Sequence, residues 1–413
     1  MTSHDSDQPA RIELQRLAAH HQLDVAGGAI RRTSSRFCLG VEHGDYNGTE
    51  LFGVGTDRFL WIAYKSNHSG RVRIASSNFP DDGCITYSPG QVPEPRSAQI
   101  ANSWARFPFG VDWTLRRAGV PTQRGFDAVV HGNIPGGGMS RSASLTLNLI
   151  LTVCEVNGAI LANGLQVVDL AQAVENDYIG SPCGVLDQTM IYFARAGMGT
   201  HYRPHDRSIE YVPLGTAAPD FRLVSLDTGT VRPGLEKSTY KVRRAECERA
   251  VAWLAEREPI VALAELTDPA RYERLVRELR AEHPDLADRV TYIHEAQARF
   301  PRLLEAWRRG DLATVGAVLR ADGLGLRDLY RISGPELDTM CDIARTVPGV
   351  LGERMLGGGD KGAAGALVLE GATQALRDAV AREYPRRHPE FAQRWAVHAC
   401  SIVDGVSKLA GLA

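Results

Sequence analysis

Three consecutive glycines, Gly136, Gly137 and Gly138, stand between a short apolar segment and a long one, and that arrangement leaves few folds open. The short segment runs from Phe126 to Val130, and the long one leaves the loop after Ser144 and ends at Asn157-Gly158. The order predicts strand, loop, helix. Glycines let backbone N–H groups converge on one point without a Cβ in the way. The start of the following helix adds unpaired N–H groups and the positive end of its dipole, which favours an anion. Ser140 and Ser142 add hydroxyls that suit a phosphate or its magnesium. A plain glycine-rich turn with a serine cap would look alike in isolation, and no Gly-Lys-Ser/Thr closes the loop as in a Walker A motif. Leu145, Leu147, Leu149, Leu151 and Val153 alternate as in a strand, yet the run is too long for one and ends in a helix stop, so a buried helix is expected.

The chain of 413 residues is too long for one core, and two domains are expected. The charge pattern changes near residue 220, which divides the chain into 1–220 and 221–413. A net charge of −2 argues against a nucleic-acid surface or a polybasic membrane patch. The seven cysteines are dispersed, with no Cys-x-x-Cys and no metal-ligand spacing, as expected of reduced thiols in the cytoplasm. No secretory signal and no apolar run of membrane length is present.

Taken in order, residues 1–9 are polar and expected to be disordered, and Ile12 to Leu23 to form a short helix. Ser35 to Gly48 carries Glu42, His43 and Asp45 within four residues. Such a cluster can grip several hydroxyls of one sugar, though on spacing alone a polar turn ending in Asn-Gly is the favoured reading. Strands are predicted over 51–65 and 70–76, a loop over 78–97 and a helix over 104–119. Beyond the long helix, 167–178 is expected to be a second helix carrying Glu175. Asp187 stands where a helix could begin, as a capping acid often does. A strand pair is expected over 199–213 and another strand over 221–226. The segments 236–256 and 268–309 read as long amphipathic helices with solvated faces. A helix at 336–346 precedes a second glycine cluster, Gly357 to Gly365, then a buried strand at 366–369 and a helix at 374–384.

Together these stretches resemble the galactokinases, in the GHMP small-molecule kinase superfamily, over most of residues 30–370. Arg36, Glu42, His43, Asp45, Tyr46 and Asn47 match the signature G-R-V-N-L-I-G-E-H-T-D-Y-N. Residues 132–144 are similar to the phosphate loop G-N-V-P-L-G-G-G-L-S-S-S-A-S, one residue shorter before the glycines. Pro182 to Gln188 resembles P-C-G-I-M-D-Q, Thr239 to Arg244 resembles E-Y-x-V-R-R, and Met355 to Gly359 resembles the opening of M-T-G-G-G-F-G-G. Five motifs in family order make coincidence improbable.

The resemblance implies an α+β fold of two domains, with mixed and antiparallel sheets, helices and an active site in the cleft between domains. It implies Asp187 as the catalytic base that accepts the anomeric hydroxyl's proton, beside Arg36, whose charge would keep Asp187 ionised and offset charge on the transferring phosphoryl group. It implies sugar contacts from Glu42, His43, Asp45 and Tyr240, and ATP held by Gly136, Gly137, Gly138, Ser140, Arg141 and Ser142. Ser142 and Glu175 match positions that hold Mg²⁺. The expected activity is ATP-dependent phosphorylation of the anomeric C1 hydroxyl of galactose or a galactose-like sugar, by a monomer or homodimer.

Several positions depart from the family pattern. Gly44 replaces threonine, Gly53 proline, Arg141 the middle serine, Thr228 and Thr230 two asparagines, and Asp360-Lys361 Phe-Gly. A smaller residue at 44 suggests a roomier pocket, and the added charges at Arg141 and Lys361 suggest an anionic substrate. These motivate an alternative acceptor: a larger or already phosphorylated sugar, such as an octose or heptose phosphate, or a cyclitol phosphate of a specialised pathway. Equally, both charges could face solvent. A third reading is a sugar sensor without turnover, disfavoured because Arg36, Ser142 and Asp187 are all present.

Overall fold

The computed structural model describes residues 5–231 and 239–412. The first half forms α1 (Asp7–His21), β1 (Ala29–Gly40), β2 (Leu51–Ser66), β3 (Val72–Ser76), β4 (Cys84–Tyr87), α2 (Arg106–Arg117), β5 (Phe126–Gly132), α3 (Arg141–Asn157), α4 (Gly164–Ala173), α5 (Leu186–Tyr192), β6 (Met198–Arg203) and β7 (Ser208–Pro213). The second half forms β8 (Phe221–Asp227), α6 (Thr239–Ala255), α7 (Pro269–Glu282), α8 (Pro284–Arg309), α9 (Leu312–Asp328), α10 (Pro335–Arg345), β9 (Val350–Met355), β10 (Ala363–Leu369), α11 (Thr373–Arg387), β11 (Ala396–Cys400) and β12 (Val406–Leu409).

Eight strands make the first sheet, with the path β12-β1-β2-β5-β3-β4 and the β6–β7 hairpin paired onto β2. Among the named strands of the described residues, β3 and β5 are the one parallel pair. The second sheet is the antiparallel β11-β8-β10-β9. Alternation along β2 separates two layers, as a strand's two-residue period requires. Leu60, Ile62 and Tyr64 pack under α2 and α3, while Phe59, Trp61 and Ala63 pack against α1. A third core joins the second sheet and α6–α11 to Phe37, Leu39, Val41, Phe52 and Val54 of the first sheet. The second sheet starts at Phe221, beside the expected boundary, but β12 returns from the far end of the chain to pair with β1. The division near residue 220 is therefore one between sheets.

Several expectations need correction. Residues 7–9 are helical, because α1 starts at Asp7, whose carboxylate binds Arg32 and the Trp61 indole N–H; residues 1–4 lie outside the described residues. The expected loop over 78–97 contains β4, which pairs with β3. The segment 268–309 is two helices broken at His283-Pro284, because proline disfavours the helical region for the residue before it and His283 takes φ −140° and ψ 75°. Residues 236–238 of the expected helix over 236–256 lie outside the described residues, and α6 begins at Thr239. The long apolar run after the glycines is a helix, closed by Gly158 in the left-handed conformation at φ 66°.

Candidate active site

One buried guanidinium joins three separate stretches of chain. Arg36 lies near the end of β1, with its side chain 1% exposed. Its Nε and Nη2 each stand 2.8 Å from Oδ1 of Asp187, and its Nη1 donates to the Gly138 carbonyl at 2.6 Å. Burial opposes the charge of Arg36, but Asp187 and Glu42 more than offset this and hold its pKa above the ordinary value. Asp187 is in the first turn of α5 and lines a cavity of about 340 Å³ together with Arg36 and the glycine loop.

The loop itself is built by close backbone contact. A Cβ on Gly137 would come within 2.5 Å of the Gly362 Cα, so the two loops meet with no side chain between them. Gly138 takes φ +78°, which glycine adopts at no steric cost. The Thr228 hydroxyl donates to the Gly362 carbonyl at 2.5 Å, and the Gly362 N–H donates to the Thr230 hydroxyl at 2.8 Å. Both threonines that depart from the family pattern thus fasten the second glycine loop. Ser140 caps α3 with φ 58°, and its buried Oγ has no hydrogen-bond partner among the described residues. An orphaned hydroxyl lining a cavity beside a helix start is chemistry that fits a phosphate oxygen.

Glu175 sits on a π-helical turn, Val174–Ile179, that ends the helix expected to run on to residue 178. The Ser142 hydroxyl donates to one of its oxygens at 3.4 Å and the Gln188 amide to the other at 3.4 Å. Burial, reinforced by the nearby Asp187 charge, pushes the Glu175 carboxyl up to about 7. Two oxygen donors, one a strained buried acid, form a set that suits a hard divalent cation such as Mg²⁺.

The same cavity is lined by Glu42, His43, Asp45 and Tyr240. Glu42 accepts from the Gly357 N–H at 3.0 Å, with Arg354 3.7 Å away. Asp45 accepts from the Leu186 N–H at 3.1 Å. Burial, opposed by that bond and aided by the Asp187 charge, moves the Asp45 carboxyl up to about 6. Gly184 is glycine because a Cβ there would lie 1.9 Å from Asp45 Oδ2. His43 takes φ 61°; its carbonyl accepts from the Asn47 side-chain amide at 2.7 Å, and its Nδ1 lies 2.9 Å from the Tyr46 hydroxyl. Its ring centroid is 5.3 Å from that of Tyr240.

The departures fall differently from what the sequence suggested. A Cβ on Gly44 would meet the Thr49 hydroxyl at 1.9 Å, so the glycine makes room for Thr49 and does not widen the cavity. Gly53 faces Met190. Lys361 does not line the cavity, whereas Arg141 does. Sequence reasoning missed the apolar lining of the cavity, Leu60, Phe79, Phe107, Val130, Leu145 and Ile179, whose residues come from six separate stretches. It also missed Arg106 in the cavity wall and Arg354 behind Glu42. The polar start of α2 was the one signal for Arg106, and Arg354 had none.

Residues 109–195 match the model of the GHMP kinases N terminal domain. The galactokinase of Enterococcus faecalis is 31% identical over 386 residues, spanning 93% of this chain and 96% of that protein. That of Exiguobacterium sibiricum is 31% identical, spanning 89% of this chain and 90% of its own. The chain belongs to the galactokinase family. The crystal structure of Lactococcus lactis galactokinase complexed with galactose superposes with a TM-score of 0.86 at 28% identity, covering 97% of this chain and all of that one. Methanococcus jannaschii mevalonate kinase, at 14% identity and a TM-score of 0.60, shares the fold. The expected α+β architecture of mixed and antiparallel sheets is the one observed. Among the described residues no helix is long and apolar enough to cross a membrane.

Proposed function

We propose that this chain is an ATP- and Mg²⁺-dependent kinase that phosphorylates the anomeric C1 hydroxyl of galactose or a closely similar sugar. The observation that carries the proposal is the pairing of Asp187 with Arg36 beneath the glycine loop. Asp187 faces the cavity between the carboxylate cluster and the loop, so it can accept the proton of a sugar hydroxyl held by Glu42, His43, Asp45 and Tyr240. Arg36, paired with Asp187, sets a positive charge beside the point of transfer, where a loose, mainly electrostatic phosphoryl transfer needs it. Gly136 to Gly138, Ser140 and Ser142 hold the donor phosphates, and the apolar lining excludes water from the base. Ser142 and Glu175 would hold the metal, which supplies neutralising charge to the donor phosphates. Galactose is favoured over a bulkier acceptor because Gly44 opens no space. The seven free cysteines suit a reducing cytoplasm, and the enzyme works as a monomer or homodimer.

The test is ADP release over a panel containing galactose, longer sugars and sugar phosphates. Galactose is expected to be turned over best. Asp187→Asn is expected to lower kcat by roughly 10²–10⁴ while ADP affinity persists. Near-parental turnover by that variant would remove Asp187 from its assigned role, and ADP release with sugar phosphates alone would overturn galactose.

A further inference from the structure

Two arginines line the same cavity without a carboxylate against them. Arg106 is the first residue of α2 and Arg141 the first of α3, so each stands at the positive end of a helix dipole. Arg106 donates through Nη1 to the Ala101 carbonyl at 3.2 Å, and its buried Nε has no hydrogen-bond partner among the described residues. Its guanidinium lies over the Phe107 ring, 5.4 Å from the centroid. Arg141 reaches from the glycine loop to Phe79, 5.6 Å from that centroid, and Phe79 stacks on Trp104 with planes 9° apart. Among the described residues neither guanidinium makes an ion pair within 4.0 Å, whereas Arg36 in the same cavity is paired with Asp187. Asp227 attracts Arg141 and Glu175 attracts Arg106, both from beyond ion-pair distance.

Holding two partly desolvated cations apart from any acid is costly, and stacking on aromatic faces offsets only part of that cost. An anion arriving in the cavity they line would recover the rest. Arg141 directly follows Ser140 of the glycine loop, and Arg106 is within electrostatic reach of Glu175, so both stand with the groups assigned to the donor and its metal. The charge therefore meets the donor's phosphate chain. We infer that Arg106 and Arg141 form a guanidinium clamp on the phosphates of the nucleotide, which gives the site affinity for a nucleoside diphosphate without a metal. The inference rests on the kinase reading only in taking this cavity to receive a nucleotide.

The test is calorimetric titration of the full chain in EDTA with ADP, adenosine, galactose and galactose 6-phosphate. Arg106→Gln, Arg141→Ser and Arg141→Lys are compared with the parent. ADP affinity is expected to fall about 10-fold or more in Arg106→Gln and in Arg141→Ser. Adenosine and galactose affinities should hold, and Arg141→Lys should recover part of the ADP loss. Retained galactose binding and an unchanged melting temperature establish that each variant is folded. Equal losses for adenosine and ADP would mean that the arginines only pack the base compartment, and would overturn the clamp. So would unchanged ADP affinity in both variants, or a loss confined to galactose 6-phosphate, which would assign the charge to an acceptor phosphate. If the parent binds ADP as expected yet turns over no sugar, the kinase reading fails while the clamp stands.

Discussion

A glutamate in an unfolded chain titrates near 4.5, whereas burial and the neighbouring Asp187 charge move Glu175 up to about 7. Between those values the folded chain keeps a proton that the unfolded chain has released. Stability from this group is thus fully present below about pH 4.5 and is lost as pH rises through about 7, by up to ~3 kcal/mol. Glu175→Gln does not titrate. Without nucleotide or metal, its melting temperature should exceed the parent's at pH 8, with the gap largely closed at pH 5. Added Mg²⁺ should raise the melting temperature of the ADP-bound parent and leave that of the ADP-bound variant nearly unmoved. A gap independent of pH would show that burial does not perturb Glu175. Much of the site was legible at this level because its chemistry comes in short runs. Glu42, His43 and Asp45 are near neighbours, and the three glycines are contiguous. Arg354, Arg106 and Thr49 were not legible, because each earns its role from a partner distant in sequence or from space filled by a neighbour.

The two glycine loops make a second kind of prediction. Gly136 has open space where a Cβ would go, while Gly137 has the Gly362 Cα at 2.5 Å. Gly136→Ala should therefore keep nucleotide affinity within about twofold, since a surface-type change moves free energy by only ~0.5 kcal/mol. Gly137→Ala must push the loops apart and should weaken ADP binding at least tenfold, as a calorimetric titration of both variants would measure. Similar behaviour of the two variants would mean that the loops are not in register as described. Glycine also explains an element that the sequence hid. Helix α9 carries Gly316, Gly323 and Gly325, which lower helix propensity, and no helix was expected there. In the fold they let α9 lie on β9, with Gly316 facing Leu351 and Gly323 facing Arg354. Strand β1 was hidden for the opposite reason. Arg31 to Arg36 looks polar, yet all six residues are buried: Arg31 pairs with Glu155, Arg32 with Asp7 and Arg36 with Asp187, while Thr33 and Ser35 donate to the Ser144 and Met139 carbonyls.

At the level of the whole chain, β12 lies along β1 with Ile30 opposite Leu409 and Thr33 opposite Val406. Leu409 and Leu412 are buried in the same layer as α1. Removing residues 406–413 would uncover one side of β1 and strip two apolar side chains from that layer. At roughly 1.5–3 kcal/mol for each large buried side chain, the truncated protein should melt well below the parent or fail to stay soluble. Calorimetry of the truncated chain measures this, and an unchanged melting temperature would mean that β12 contributes no stability. The pairing also orders events during synthesis. While the ribosome is still making the second sheet, β1 has β2 on one side and a row of bare N–H and C=O groups on the other. An open edge of that sort recruits other strands, so nascent chains emerging close together risk joining one another. A chaperone that shields β1 until the last strand emerges should therefore raise the yield of soluble protein more than one acting on the finished chain.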